Sequence, residues 1–88
     1  MTLNFQKTFQ ALGLIGIFRG ITPAEVEAVV MAAVDSGLRI VEVPLNSPQA
    51  LHSIEKLAKR FGEQIIIGAG TVISVADVDA VARSGGRL

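Results

Sequence analysis

Residues 39–48 read Arg39-Ile40-Val41-Glu42-Val43-Pro44-Leu45-Asn46-Ser47-Pro48, and this stretch decides the fold. Ile40, Val41 and Val43 form a short β-branched run of the kind that fills a strand covered on both faces. Ser47-Pro48 then reads as a helix start, with a hydroxyl residue for the cap and a proline where a missing N–H does no harm. A strand signal followed at once by a helix signal is one βα unit.

The unit repeats in both directions. Apolar runs stand at Leu14–Phe18, Arg39–Val43 and Gln64–Gly68, starting at 14, 39 and 64, a constant spacing of 25. Thr22-Pro23, Ser47-Pro48 and Ser74 follow them as helix starts. Gly37, Gly62 and Gly85 follow the helices as candidate left-handed ends. Thr22-Pro23-Ala24-Glu25 is a capping box, and Ser74-Val75-Ala76-Asp77 repeats it with Asp. Val26, Val29, Val30 and Ala33 form one helical stripe; Leu51, Ile54, Leu57, Ala58 and Phe61 form a second; Val75, Val78 and Ala82 form a weaker third. Phe5, Phe9 and Leu12 predict a lead-in helix within residues 1–13, with residues 14–88 as the N-terminal part of one domain.

Consecutive βα units predict an α/β fold with parallel strands. Strands this continuously apolar predict a sheet with both faces covered, or one closed into a barrel. The expected architecture is a parallel (β/α)8 TIM barrel with its first three βα units present. Arg87-Leu88 falls where a fourth strand would begin. The expectation is therefore a truncated barrel that folds poorly alone, because a strand edge is left unpaired.

Composition narrows the function. The 88 residues carry eight basic and eight acidic side chains, and half are hydrophobic. No basic stripe is available to displace phosphate counterions, which argues against nucleic acid. With no Cys and one His, a disulfide framework is excluded and a His/Cys metal site nearly so. The longest apolar stretch near the start, Ala11 to Phe18, is far short of the roughly 20 residues of a membrane span. The expected partners thus include neither membrane nor nucleic acid, and the expected location is the cytoplasm.

In parallel α/β folds ligands bind at the carboxyl ends of the strands. Glu42 stands out there. Burying an ionised carboxylate costs several kcal/mol unless it is paired or solvated, and such a setting suits a general acid–base group. The alternative is a Glu paired with a basic residue or facing solvent at an edge. Arg19, directly after the first strand, can grip a carboxylate or phosphate at two points, or close a surface turn with Gly20. Gly68-Ala69-Gly70-Thr71 combines glycines that allow close approach to the backbone with a hydroxyl at Thr71, or serves only as a tight turn. It is no dinucleotide fingerprint, because Ile73 stands where the third glycine belongs. Asn46 either binds a ligand or, as spacing favours, caps the next helix. His52 reads as solvated. Lys7, Lys56 and Lys59 lie on helices, away from where a desolvated amine nucleophile would stand.

Ile17-Phe18-Arg19-Gly20-Ile21-Thr22-Pro23, Val41-Glu42-Val43-Pro44-Leu45-Asn46-Ser47-Pro48 and Ile67-Gly68-Ala69-Gly70-Thr71-Val72, in this order and spacing, resemble the opening motifs of the 2-keto-3-deoxy-6-phosphogluconate / 6-phosphogalactonate aldolases. Asn46, where the phosphogluconate branch usually carries Arg, and the Arg19-Gly20 pair resemble the phosphogalactonate branch; the phosphogluconate activity and a non-catalytic truncated product are the alternatives. The resemblance implies a class I aldolase without metal or other cofactor. A lysine of a later strand would form an imine with a phosphorylated keto acid, and cleavage would give pyruvate and glyceraldehyde 3-phosphate. Glu42 matches the family's general acid–base residue. Arg19 and Thr71 match positions that hold the substrate near its carboxylate, with Asn46 and Gly70 as further substrate contacts. The resemblance also implies a homotrimer of full-length chains, and an inactive product if only these residues are present.

Overall fold

The computed structural model describes residues 4–88. Its elements are α1 (Phe5–Leu12), β1 (Gly16–Ile17), α2 (Val26–Asp35), β2 (Ile40–Pro44), α3 (Ala50–Phe61), β3 (Ile66–Gly70) and α4 (Val75–Arg83). The strands form one parallel sheet in the order β1-β2-β3. The opening residues 1–3 of the expected lead-in segment, and the Leu12 side chain of its apolar stripe, lie outside the described residues.

Helix ends follow the sequence signals in part. Asn4 caps α1 by accepting from the Lys7 N–H, and Gly13 closes it in the left-handed conformation. The Thr22 box half forms. Glu25 Oε1 accepts from the Thr22 N–H at 2.9 Å. The Glu25 and Val26 N–H groups bond the Thr22 carbonyl at 3.1 and 3.0 Å. Ser74 caps α4 as expected, its Oγ accepting from the Asp77 N–H at 3.1 Å. Gly37 and Gly85 have φ of 107° and 98° and can end helices as few other residues can. Gly62 departs from expectation: its φ of −59° is right-handed, and its N–H continues the helical pattern to the Ala58 carbonyl.

The core lies between the sheet and the α2–α3 pair. Val26, Val30 and Val34 of α2 and Ile54, Leu57 and Phe61 of α3 pack with Val41, Val43, Ile65 and Ile67. Two of the expected stripes shift. On α2 the buried column is Val26, Val30 and Val34, while Val29 is exposed. On α4 Val81 is buried and Val75, Val78 and Ala82 are exposed. Periodicity names a helix face only to within a neighbouring column, and the sheet selects which column it covers. Across the α2–α3 seam, Lys56 Nζ donates to the Pro23 carbonyl at 2.7 Å and lies 3.8 Å from Glu27 Oε2.

Alternation assigns the other sheet face. With Val41, Val43 and Ile67 turned to the helices, Ile40, Glu42 and Pro44 of β2 and Ile66, Gly68 and Gly70 of β3 share the opposite face. β1 is shorter than the expected Leu14–Phe18 run. It pairs only through Gly16↔Val41 and Ile17↔Glu42, leaving Leu14 exposed and Ile17 60% exposed beside Glu42. After α4 the chain returns along β3. The Arg87 N–H donates to the Ile67 carbonyl at 2.7 Å, and the Ala69 N–H donates to the Leu88 carbonyl at 3.3 Å. A fourth parallel segment therefore starts where the sequence predicts one, although no regular strand is assigned there.

Candidate active site

Arg19, Asn46, Gly70 and Thr71 stand at or just beyond the carboxyl ends of the strands, and Glu42 lies two residues before the end of β2. Glu42 lies in the middle of β2, flanked by fully buried Val41 and Val43 and itself half-buried. Its backbone is fixed on both sides: Ile17 and Gly68 are its register partners, and the Phe18 N–H donates to its carbonyl at 3.0 Å. No cation pairs with its carboxylate among the described residues. The reading of Glu42 as half of a structural ion pair has no support in this arrangement.

The Glu42 carboxylate leans diagonally across the sheet, toward the strand ends, and rests on Gly70. A Cβ built on Gly70 would clash with Glu42 Oε1 and Cδ. Gly70 does not have a positive φ, so glycine is required there for space rather than for conformation. Gly68 is the same case, with Leu88 occupying the place of its missing side chain. The Gly-Ala-Gly run thus makes one face of β3 flat, and the acidic side chain of β2 lies on that flat surface.

Thr71 follows at once, exposed and with φ of 56°. Left-handed backbone is costly for a β-branched residue, about 1–2 kcal/mol. Such strain collects where a side chain must be aimed. Arg19 is exposed in the turn after β1, next to Gly20 with its left-handed φ of 80°. Asn46 is exposed in the turn after β2, and α3 has no side-chain cap, so Asn46 does not take the capping role that spacing favours.

Two cross-links join these turns. The Leu45 N–H donates to the Gly70 carbonyl at 2.9 Å, extending the β2–β3 ladder to its last position. The Gly20 N–H donates to Ser47 Oγ at 2.9 Å. Ser47 was expected as the α3 cap; instead its buried hydroxyl binds the turn that carries Arg19. Nothing local marks this role, because the two residues are 27 positions apart. The lysines fall as expected. Lys56 is tied to α2, and Lys59 is a solvent-facing partner of Glu55 on α3. His52 is exposed.

A half-buried carboxylate on a parallel sheet, with a guanidinium, a carboxamide and a hydroxyl in the turns that leave the same strands, lies toward the end of the sheet where parallel α/β folds bind their ligands. The KDPG and KHG aldolase family model matches residues 6–88, and the chain belongs to that family, whose fold is the TIM barrel. It is 51% identical over 77 residues to the 2-dehydro-3-deoxy-6-phosphogalactonate aldolase of Escherichia coli (strain K12), covering 88% of this chain and 38% of that protein. It is 47% identical over 75 residues to the probable 2-dehydro-3-deoxy-6-phosphogalactonate aldolase of Rhizobium meliloti (strain 1021), covering 85% of this chain and 35% of that protein. Among solved structures, one described as the native KDPGal structure superposes with a TM-score of 0.84 at 45% identity, covering 98% of this chain and 39% of that chain. The chain thus spans under two-fifths of the length of these relatives, and the parallel sheet corresponds to the first βα units of their barrel. The family is one of aldolases, which are carbon–carbon lyases. Among the described residues no helix is long and apolar enough to cross a membrane.

Proposed function

We propose that these residues supply the acid–base side of a class I aldolase that reversibly cleaves 2-dehydro-3-deoxy-6-phosphogalactonate to pyruvate and glyceraldehyde 3-phosphate. The observation that carries the reading is the Glu42 carboxylate, rising from an apolar strand and laid on Gly70 toward the strand ends. The names of the two curated relatives support the substrate. Asn46 and the Arg19-Gly20 pair favour the phosphogalactonate over the phosphogluconate substrate.

In this mechanism an amine from outside these residues forms an imine with the C2 ketone of the substrate. None of Lys7, Lys56 and Lys59 stands at a strand end. The protonated imine accepts the electron pair of the breaking C3–C4 bond. Glu42 takes the proton from the C4 hydroxyl as that bond breaks, releasing the aldehyde. It then returns a proton to C3 of the enamine, and hydrolysis frees pyruvate. Arg19 and Thr71 hold the keto acid at its carboxylate, Arg19 by a charge-assisted contact and Thr71 by its hydroxyl. Asn46 contributes a polar contact along the sugar chain. The working enzyme is a cytoplasmic homotrimer of complete barrels, and the 88 residues alone do not turn over substrate.

The test is a hybrid enzyme in which this chain replaces the matching segment of the Escherichia coli relative. It is expected to release pyruvate from the phosphogalactonate substrate, to prefer it over the phosphogluconate epimer, and to yield a covalent lysine adduct when borohydride is added with pyruvate. Turnover without any adduct would remove the imine mechanism.

The strain at Thr71 gives a separate expectation. Thr71→Gly in the hybrid relieves the left-handed backbone and raises unfolding stability by about 1 kcal/mol. It also removes the hydroxyl, so KM for the keto acid rises. Denaturant titration and steady-state kinetics on one preparation check both halves.

A further inference from the structure

We infer that Ser47 is a positioning residue for the Arg19 guanidinium, a proposal that rests on the aldolase reading above. Ser47 is 5% exposed, a buried hydroxyl at the rim of a site whose other polar side chains are more open to water. Its backbone is anchored to β2, the Ser47 N–H donating to the Pro44 carbonyl at 2.9 Å. Its Oγ accepts from the Gly20 N–H, also at 2.9 Å. Gly20 is left-handed, so the turn it shares with Arg19 is one that few other residues could make.

The consequence is geometric. Arg19 has no hydrogen bond or ion pair of its own to fix it among the described residues. The covalent neighbour that precedes it, Phe18, is bonded to the Glu42 carbonyl, and the one that follows, Gly20, is bonded to Ser47. Arg19 is therefore held between two attachments to the strand and turn that carry Glu42. The Phe18 bond belongs to the sheet and would survive any side-chain change. The Ser47 bond is the one that a substitution can cut, and cutting it frees the far side of the turn. The Arg19 backbone, from which the guanidinium is aimed, would then lose one of its two attachments while the sheet stays intact. A serine hydroxyl suits this task because it is short, and short enough to be buried while still accepting from a backbone N–H.

The experiment is a double-mutant cycle in the hybrid enzyme, with Ser47→Ala, Arg19→Ala and both together, and Ser47→Thr as the conservative variant. Ser47→Ala is expected to raise KM for the keto acid, and the inhibition constant of pyruvate, about tenfold with kcat nearly unchanged. Ser47→Thr, which keeps the acceptor, restores both. In the Arg19→Ala background the Ser47→Ala penalty disappears, because no guanidinium remains to be positioned. Ser47→Cys, close in volume but a poor acceptor, is expected to behave like Ser47→Ala and covers the case of a poorly folding alanine variant. A Ser47→Ala penalty that persists undiminished beside Arg19→Ala, or that falls on kcat alone, overturns the proposal. So does the absence of any penalty. A parent hybrid that forms no adduct and turns over no substrate would instead remove the aldolase reading, and this inference with it.

Discussion

Glu42→Gln in the hybrid enzyme is expected to lower kcat by about 10²–10⁴-fold, the usual contribution of a positioned acid–base group, with KM altered little. The amide keeps the length and shape of the side chain and can still lie on Gly70. It cannot accept the C4 hydroxyl proton or deliver one to the enamine carbon. The fold does not depend on the charge, since no cation among the described residues is paired with it. Stability should therefore change little while turnover collapses. A large loss of stability with modest loss of rate would mark Glu42 as a structural residue.

Gly70→Ala is the second substitution with a large expected effect, and it works without touching any polar atom. The added methyl would fall on the Glu42 carboxylate and force that side chain into another rotamer. Displacing a catalytic group by about 1 Å costs roughly 10²-fold in rate. In an ordinary strand, Gly→Ala is favourable by roughly 0.5–1 kcal/mol, because glycine loses more conformational freedom on folding. The expected result is a slow enzyme with an unfolding midpoint at or near that of the parent. Combining Gly70→Ala with Glu42→Gln should cost hardly more than Glu42→Gln alone, since the misplaced group no longer has a proton to move. Fully multiplicative losses would mean that Gly70 acts by some route other than the carboxylate.

The three βα units were legible because strand and helix signals are local. Ile40, Val41 and Val43 announce a covered strand, and Ser74 with Asp77 announces a helix start, each from a few adjacent residues. Which residues of α2 reach the core was not legible, because Val29 and Ala33 stand beside the Val26, Val30 and Val34 column and only the position of the sheet separates the two faces. β1 came out short because Leu14 and Ile15, apolar as they are, find no ladder partner in β2. At the site, Glu42 could be found from sequence, since an acid in an apolar run is costly wherever it lies. The uses of Gly70 and Ser47 could not. Gly70 reads locally as a turn glycine or as one that lets a ligand approach, and Ser47 as a cap, whereas Gly70 leaves room for a side chain of the neighbouring strand and Ser47 binds a distant turn.

The central claim is that the Glu42 carboxylate moves protons at the substrate carbon, and isotope exchange tests it apart from imine formation. The hybrid enzyme and its Glu42→Gln variant are incubated with pyruvate in deuterium oxide, and loss of the methyl proton signal is followed by NMR. The account predicts rapid exchange in the parent and almost none in the variant, with both still giving a borohydride-trapped lysine adduct. A variant that forms the adduct and exchanges as fast as the parent would contradict it.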